Sequence, residues 1–533
     1  MSIVKRFKHA LTEFETLPNE LFLEMFGYLT CIETVWAFAR LNNRFRNLTL
    51  EYCRTFDFKS ISKTKLDYIT QQHDIRRWKS LRLSDDDDTP GQVTYFCQIL
   101  SFANNLSHLE ALTVVNTQCT ITNSLLSQIT SFQHLVSLTI GSICGKNLPC
   151  INLVSLKYLS INSCMHTIWF QKISLDGLQH TFEHNCNHEH CLVYPTTLRN
   201  LKIFADRQGG TDIVRTALKS LSKLTNLAIY DGAWENAVPD GRVWEELIKV
   251  SLPCLKEFNF CFKFWRDFTS TSDIDSIIST FSTPFYRQQK SWFVQCDTHY
   301  QQFSVAMLYS LPYAFEHFEV ITHSSQNSLS NINETSKMQS YKSVKTLVVD
   351  AKCETMNERL LLRNIVNLHL THRHIFVNWI LKIRRLTQLT LGHQSLATPY
   401  QVLCSITNRW KHKLICDILS RKIRSLKLTS SDCFSVNLKN YIKVDQLLNI
   451  IRVFSRHCEH LSIAVYSRNI VAGLILRCMN QLRSLKVYVQ EHGHNMHISK
   501  QWLTDQNSDF HNLDYYLVSN GHEYSFWFGR RYL

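Results

Sequence analysis

Three short stretches decide the fold: Val344-Lys-Thr-Leu347-Val-Val349, Ile365-Val-Asn-Leu368-His-Leu370 and Leu386-Thr-Gln-Leu389-Thr-Leu391. Each follows the pattern Leu-x-x-Leu-x-Leu, with other aliphatic residues in some of the leucine positions. The second anchors, Leu347, Leu368 and Leu389, follow one another at intervals of 21 residues. Apolar residues that alternate with polar ones predict a short strand with one buried face. The recurrence of this pattern at a fixed interval indicates a structural repeat.

The same motif covers most of the chain. Several of the intervals between successive second anchors are 21, 24 or 26 residues, a spacing typical of leucine-rich repeats. The other copies begin at Trp78, Leu109, Leu135, Leu156, Leu198, Leu224, Leu255, Phe315, Ile423, Cys458 and Leu482.

A single repeat of this kind cannot bury its own apolar face. Neighbouring repeats therefore stack, with parallel strands along the inner wall and the spacers on the outside. We predict an α/β fold, a leucine-rich-repeat solenoid (horseshoe). The alternative is an ordinary parallel α/β sheet, which also alternates strands with helices, but its βαβ units usually need about 30 or more residues.

The first residues carry a different pattern. Pro18 suits the first turn of a helix, and apolar residues follow it at helical spacing. The first set is Leu21, Phe22, Met25, Phe26 and Leu29, and a second set is Val35, Phe38, Leu41, Phe45 and Leu48. A helical bundle of this size is too small to enclose a full hydrophobic core. We therefore expect it to expose apolar surface to a partner or to the repeats.

These patterns set the expected domain boundaries. They are a helical domain at 12–55, a helical linker or cap at 56–77, the solenoid at 78–515 and a C-terminal cap or tail at 516–533. The repeat is irregular near 261–343, where we predict an exposed loop over 324–340. The run Asp85-Asp-Asp-Asp-Thr-Pro90 follows the first repeat strand and is predicted to be a solvated turn.

Three segments in the helical region resemble a known module. Leu17-Pro18-x-Glu20-Leu21, Met25-Phe26-x-Tyr28-Leu29 and Leu41-x-x-Arg44-Phe45 are similar, in order and spacing, to the F-box. With the repeats, the chain resembles F-box and leucine-rich-repeat proteins. These are typically substrate receptors of Skp–cullin–F-box ubiquitin ligases, in which the F-box docks on a Skp-type adaptor and the repeats hold a protein substrate.

The resemblance implies an F-box helical domain at 12–55, a Skp-type adaptor as partner, through it a cullin-RING ligase, and no catalytic activity of the chain itself. The family usually has Val-Cys-Lys-x-Trp where this chain has Leu41-Asn-Asn-Arg-Phe45. The adaptor-binding residues that it implies are Leu17, Pro18, Leu21, Phe26, Leu29, Leu41 and Phe45. The alternative interpretation of these helices is an N-terminal cap for the repeats.

Composition excludes several classes of protein. With 14 Gly and 9 Pro, the chain is neither collagen-like nor linker-rich, and it contains neither GxGxxG nor GxxxxGK[ST]. The N-terminus lacks the apolar core of a signal peptide, and no apolar stretch reaches the ~20 residues of a membrane span. We expect a cytoplasmic or nuclear protein with its 18 cysteines reduced, no membrane partner and no cofactor.

The positive charge is concentrated in one window. The net charge is +14, and residues 371–430 hold eleven Lys and Arg against one Asp, which gives +10 there and +4 elsewhere. An acidic or phosphorylated segment of the protein substrate is the partner that we favour for this window. There are two alternatives. The window is a solvated face without a partner, or the protein binds nucleic acid through it.

The residues that alternate with the anchors should line the inner wall, where a substrate would bind. They are mostly small and polar, and aromatic neighbours would add the contact area typical of protein interfaces. The candidate substrate-binding residues are Tyr158, Lys202, Phe204, Tyr230, His369, Lys427 and Lys486.

One stretch is rich in potential metal ligands. His180-Thr-Phe-Glu-His184-Asn-Cys186-Asn-His188-Glu-His190-Cys191 has residue types that bind zinc, but it contains neither CxxC pairs nor HExxH. We interpret it as a polar loop between repeats. The weaker alternative is a metal site formed by His184, Cys186, His188, His190 and Cys191.

Overall fold

The structure is a computed structural model. The residues that it describes are 14–117, 119–129, 132–141, 155–163, 197–205, 211–235, 238–265, 271–299, 305–320, 328–331, 341–349, 364–370, 383–391, 413–428, 444–489, 498–506, 511, 514–520 and 523–529.

Three short helices precede the first strand: α1 Asn19–Gly27, α2 Cys31–Phe38 and α3 Asn43–Tyr52. α2 begins with a reciprocal cap. The Glu33 backbone N–H donates to Thr30 Oγ1 at 3.2 Å, and the Thr30 N–H donates to Glu33 Oε2 at 2.9 Å. Such a cap satisfies two otherwise free amide groups and contributes about 1 kcal/mol, which fixes where α2 starts.

The first sheet has eleven strands in the order β1-β2-β3-β4-β5-β6-β7-β8-β10-β9-β12. Neighbours from β1 to β8 are parallel, whereas β10, β9 and β12 pair antiparallel. The strands are β1 Thr55–Asp57, β2 Ser80–Ser84, β3 Ala111–Val115, β4 Ser137–Gly141, β5 Tyr158–Ser163, β6 Asn200–Ala205, β7 Asn226–Glu235, β8 Glu257–Trp265, β9 Phe293–His299, β10 Val305–Leu311 and β12 Ser328–Ser330.

The second sheet has nine strands in the order β11-β13-β14-β15-β16-β17-β18-β20-β19. It is parallel from β11 to β18, and β20 and β19 add an antiparallel hairpin at its edge. The strands are β11 His317–Val320, β13 Thr346–Val349, β14 Asn367–Leu370, β15 Gln388–Leu391, β16 Ser425–Leu428, β17 His460–Val465, β18 Ser484–Val489, β19 Tyr515–Asn520 and β20 Glu523–Phe528.

The motif anchors stand in register across both sheets. The second anchors are all buried, with at most 6 % of the side chain exposed, so each repeat packs its anchor against those of its neighbours. The aligned anchors are Leu81, Leu112, Leu138, Leu159, Leu201, Leu227 and Phe258 in the first sheet, and Phe318, Leu347, Leu368, Leu389, Leu426, Leu461 and Leu485 in the second.

Helices connect many of the strands. Together with two large, mostly parallel sheets they confirm the predicted α/β class. The helices after β1 are α4 Lys63–Gln72, α5 Gln92–Ile99, α6 Phe102–Asn105, α7 Cys119–Ile129, α8 Thr211–Leu218, α9 Gly241–Ser251, α10 Thr271–Thr280, α11 Lys413–Lys422, α12 Val444–Phe454, α13 Arg468–Ile470, α14 Leu476–Cys478 and α15 Lys500–Gln506. None of the helices in the described ranges is long and apolar enough to cross a membrane.

Two segments differ from the expected secondary structure. β12 lies within 324–340, where a loop was predicted, and of that stretch only residues 328–331 are described. The segment 516–533, expected to be a cap or tail, contributes the β19–β20 hairpin. Both β12 and β19 pair antiparallel at a sheet edge. Neither contains the repeat motif, which is the pattern from which strands were predicted.

Candidate functional site

Exposed apolar side chains of the described residues are concentrated on the N-terminal helices. Leu21 and Met25 lie one turn apart on α1, Tyr28 and Leu29 lie in the turn that follows it, and we name these four residues the α1 stripe. Tyr28 is 84 % exposed, and the other three are between 38 and 44 % exposed. This grouping of exposed apolar side chains makes the α1 stripe a candidate site of protein contact.

The α1 stripe is held by an aromatic interior on the opposite side of the helix. Phe22 and Phe26 are fully buried and pack against Phe38 of α2 and Phe45 of α3. The ring centroids of Phe22 and Phe45 lie 4.7 Å apart in an edge-to-face arrangement, and those of Phe26 and Phe38 lie 5.0 Å apart. The interior therefore fixes the rotation of α1 and keeps the α1 stripe outward.

Arg44 positions the segment that leads into α1. Its Nε donates to Asn19 Oδ1 at 2.8 Å, its Nη2 donates to the Leu17 carbonyl at 2.6 Å, and its Nη1 donates to the Glu15 carbonyl. The guanidinium also lies 5.3 Å from the centre of the Phe22 ring. Sequence reasoning did not assign this role, although Arg44 is part of the third F-box-like segment.

The seven predicted adaptor-binding residues fall into three groups. Leu21, Leu29 and Leu41 are exposed large hydrophobic residues, and Pro18 is exposed immediately before α1. Leu17 is half-buried and packs against the aromatic interior, whereas Phe26 and Phe45 lie wholly inside it. The structure therefore leaves Pro18, Leu21 and Leu29 exposed before, on and after α1, and buries the two phenylalanines in the aromatic interior.

Five further exposed residues were not among the predicted adaptor-binding residues, namely Leu23, Met25, Tyr28, Trp36 and Tyr52. The Tyr52 ring lies 5.6 Å from that of Phe26, at the end of α1. Their apolar character is visible in the sequence, but a sequence pattern does not tell an exposed aromatic residue from a buried one.

α2 joins the three helices to the first sheet. Ile32, Val35 and Ala39 belong to the same core as the strand anchors. On the outside, the Trp36 ring lies 4.7 Å from the ring of Tyr68 on α4. The helices thus cover the beginning of the sheet and still leave the α1 stripe exposed.

The candidate substrate-binding residues of the first sheet lie on the face opposite the anchors. Tyr158 is exposed, but the rings of Phe204 and Tyr230 lie 5.9 and 5.5 Å from that of Phe315, which precedes β11. Lys202 Nζ lies 4.9 Å from the centre of the Phe204 ring, and burial lowers the pKa of this lysine. Three of the four are therefore partly covered by the chain itself.

The candidates of the second sheet are also engaged within the chain. Lys427 Nζ forms an ion pair with Asp87 Oδ2 at 3.0 Å, and Lys486 Nζ forms one with Glu523 Oε1 at 2.8 Å. His369 is half-buried and stands in register between Val348 and Thr390.

The loop Asp85–Asp88 is not the solvated turn that its composition predicts. Asp85 Oδ1 accepts a hydrogen bond from the Val93 N–H at 2.7 Å, and Asp86 Oδ1 accepts one from the Thr89 N–H at 3.2 Å. Burial raises the pKa of both Asp85 and Asp88 to about 6. The prediction is wrong because the loop packs on strands some 300 or more residues further along the chain, beyond the reach of a local pattern.

The basic window is described only at 383–391 and 413–428. Arg384, Arg385, Arg421 and Arg424 are exposed there. The Arg424 guanidinium donates to the His457 carbonyl at 3.3 Å. Four further basic residues of this window lie outside the described residues, namely Arg373, Lys382, Arg409 and Lys411.

The five weak metal-ligand candidates, His184, Cys186, His188, His190 and Cys191, lie outside the described residues as well. Within the described ranges, no group of three or more His, Cys, Asp or Glu side chains could hold a metal ion.

The described geometry therefore offers two binding chemistries. The α1 stripe supplies apolar contact area, and the face of the second sheet that meets the acidic loop supplies hydrogen-bond donors and positive charge. No protein-family model and no curated protein matches the chain.

Proposed function

We propose that this chain is the substrate-recognition subunit of a Skp–cullin–F-box ubiquitin ligase. In this proposal helices α1 to α3 are an F-box that docks on a Skp-type adaptor. The two sheets belong to one leucine-rich-repeat solenoid that binds a protein substrate. The chain itself is then a non-catalytic subunit, and it reaches the cullin-RING ligase through the adaptor.

The observation that carries the proposal is the α1 stripe. Four apolar side chains stand exposed within nine residues, two on α1 and two in the turn that follows it, directly after the Leu17-Pro18 segment that Arg44 holds in place. Complete burial of a large apolar side chain stabilises by about 1.5 to 3 kcal/mol, and these residues forgo the share that corresponds to their exposed area. A partner that covers them recovers this free energy, and the order of the three F-box-like segments favours a Skp-type adaptor.

The repeats support the second half of the proposal. Strands with aligned buried anchors return repeatedly, several of them at intervals of 21 to 29 residues that are typical of leucine-rich repeats, and parallel pairing runs from β1 to β8 and again from β11 to β18. Arrays of this kind present a broad face of alternating side chains to protein ligands.

Two other interpretations compete with this one. A cap for the repeats is favoured by the burial of Ile32 and Val35 against the first sheet, yet a cap alone would not need the exposed α1 stripe. A leucine-rich-repeat scaffold unconnected to ubiquitin would bind proteins through the sheets and leave the helices without an adaptor.

The test is a titration of the purified chain with a purified Skp-type adaptor by isothermal calorimetry. We expect binding by the unmodified chain and a Kd raised 10- to 100-fold or more by the double change Leu21→Ala, Met25→Ala, since central interface residues cost about 1 to 2 kcal/mol each when truncated. Val250→Ala is the matched control, because Val250 is 76 % exposed on α9, away from the three helices.

Undiminished adaptor binding by the double variant would contradict the α1 stripe as the docking surface. Absence of binding by the unmodified chain would favour the scaffold. Equal losses in the double variant and in Val250→Ala would indicate a general loss of folding, which the thermal midpoint of each variant separates from a local effect.

A further inference from the structure

The acidic loop Asp85–Asp88 lies across four neighbouring strands of the second sheet. Asp88 Oδ2 accepts a hydrogen bond from Gln388 Nε2 of β15 at 3.5 Å, and Asp87 Oδ2 pairs with Lys427 Nζ of β16 at 3.0 Å. Asp88 Oδ1 is also 3.5 Å from His460 Nδ1 of β17.

The fourth strand contributes a hydroxyl group. Ser484 Oγ of β18 donates to the Asp87 carbonyl oxygen and lies 2.9 Å from His460 Nδ1. Gln388, His460 and Ser484 belong to one row of aligned residues across the strands, and Lys427 belongs to the next row. The loop is therefore seated on a surface built from alternate side chains of successive repeats.

That surface is suited to anions. Gln388 and Ser484 donate hydrogen bonds, and Lys427 contributes a full positive charge. Burial lowers the pKa of His460 to about 4, so its ring is neutral at physiological pH and repels no cation beside it. Charge-assisted hydrogen bonds to carboxylate or phosphate oxygens are stronger than neutral ones.

The row that contains Lys427 extends beyond the loop. Ser462 lies between Lys427 and Lys486 in register, and its hydroxyl group is buried and has no hydrogen-bond partner among the described residues. Lys486 lies one strand further along. A longer anionic segment would meet the Ser462 hydroxyl group next to the groups that the loop already uses, and would compete with Glu523 for Lys486.

The roles of the four aspartates are divided. Asp85 and Asp86 accept hydrogen bonds from backbone amides of Val93 and Thr89, and so shape the turn. Asp87 and Asp88 instead contact side chains of the second sheet. Gly91 closes the turn with a φ of 75°, and a Cβ there would lie 2.5 Å from Val518 Cγ2. The turn is thus preformed without the two aspartates that touch the sheet.

The two ends of the chain are joined by separate contacts. Trp527 Nε1 donates to the Ile61 carbonyl at 3.1 Å, Lys63 Nζ pairs with Asp514 Oδ1 at 3.0 Å, and the rings of Tyr95 and Tyr516 lie 5.1 Å apart. Asp87 and Asp88 can therefore leave the second sheet while these contacts persist.

We propose that the row of donors on β15 to β18 is a binding site for an acidic or phosphorylated protein segment, and that Asp87 and Asp88 occupy it as an internal ligand. An external segment competes with the loop for Lys427, Gln388 and Ser484. That the segment belongs to a substrate of a ubiquitin ligase rests on the proposed function, whereas the site itself rests on these contacts alone.

The test uses a fluorescein-labelled peptide with the chain's own sequence from Leu83 to Gln92 and measures fluorescence anisotropy with the full chain, without an adaptor. Because a tethered loop has an effective concentration in the millimolar range, we expect weak binding to the unmodified chain. Asp87→Asn with Asp88→Asn should strengthen binding at least tenfold, and adding Lys427→Gln should remove that gain. A peptide with four Asn in place of its Asp residues should not bind.

Lys345→Gln is the matched control, since Lys345 is an exposed lysine that precedes β13 and pairs with Glu316. It should leave the affinity unchanged. If the double variant does not fold, the test is hydrogen exchange of the unmodified chain. We then expect faster exchange of the amides from 85 to 93 when a version of the peptide that carries phosphoserine is added at millimolar concentration.

An unchanged affinity in the double variant, an equal effect of Lys345→Gln and Lys427→Gln, or unaltered exchange in the loop would overturn the proposal. A single-stranded RNA that binds with the same dependence on Lys427, in place of the peptide, would also overturn it in favour of nucleic acid. Adaptor binding is measured separately, so failure of the F-box proposal leaves these results interpretable.

Discussion

The α1 stripe and the donor row on β15 to β18 are both candidate binding surfaces, but they are built in opposite ways. The α1 stripe is apolar, exposed and close in sequence, within nine residues of Leu21. The donor row is polar, assembled from strands that are far apart in sequence, and already covered by Asp87 and Asp88. In the functions proposed for them, the first surface is free to dock on an adaptor, and the second has to be vacated before it binds an acidic segment.

The contrast has a physical reason. Apolar surface that is left in water forgoes the free energy of burial but leaves no polar group unpaired, and a partner that covers the surface recovers that free energy. Buried polar groups are costly unless they are hydrogen-bonded. An acidic loop that satisfies Gln388, Lys427 and Ser484 in the free chain removes that cost until a competing anion arrives.

The largest expected effect separates the two sides of α1. Phe26→Ala should lower the free energy of unfolding of the helical layer by about 3 to 5 kcal/mol, because it opens a cavity among buried rings. Leu21→Ala should change it by no more than about 0.5 kcal/mol, since Leu21 is exposed, and should weaken only the binding of the adaptor. Thermal unfolding and calorimetry with the adaptor measure the two quantities.

If both substitutions destabilised the helices equally, the assignment of an inner and an outer side to α1 would be contradicted.

A smaller effect is expected at Arg44. Arg44→Lys keeps the charge but cannot reproduce the fork that bonds Leu17 O and Asn19 Oδ1, so we expect a loss of about 2 kcal/mol in stability and weaker adaptor binding. Arg46→Lys on the exposed side of α3 is the matched control and should change neither. Equal behaviour of the two variants in thermal unfolding would show that Arg44 does not position the segment before α1.

The smallest effect concerns the pH dependence of the occupied surface. The pKa of Asp88 is about 6, raised by burial and by Asp86 and Asp87, while Lys59 and Ser60 favour its charged form. A carboxyl group with a raised pKa contributes stability that is present below its usual pKa near 3.8 and is lost as the pH rises through 6.

Asp88→Asn removes this dependence. The variant should be more stable, relative to the unmodified chain, at pH 7 than at pH 4.5, by about 1 to 2 kcal/mol. His460, which also faces Asp88 and has a lowered pKa, destabilises both proteins as the pH falls, so the difference between them isolates Asp88. Thermal midpoints at the two pH values provide the measurement, and a difference that does not change with pH would contradict the burial of a charged Asp88.

Much of the sheet architecture could be predicted, because apolar anchors that alternate with polar residues within a few positions are visible in the sequence. Every copy of the motif corresponds to a strand, from Trp78-Lys-Ser-Leu81 in β2 to Leu482-Arg-Ser-Leu485 in β18. The hairpin of β19 and β20 escaped prediction because it pairs antiparallel and has no repeat motif.

The site was predictable only in part. Leu21, Phe22, Met25, Phe26 and Leu29 read as a single apolar stripe, but the structure divides them into two adjacent stripes, one exposed and one buried. Helical spacing alone cannot decide which of two neighbouring apolar stripes faces inward. Since the contacts of the acidic loop join residues 300 to 397 positions apart, no local pattern reports them.

Hydrogen exchange of the full chain with and without a purified Skp-type adaptor tests the central claim most directly. The account predicts slower amide exchange in α1 and in the turn before it, over 15–29, and unchanged exchange in the loop at 85–88, since the adaptor covers one surface and not the other. Protection at 85–88 or on β15 to β18 with none in α1 would contradict the assignment of the helices as the docking module.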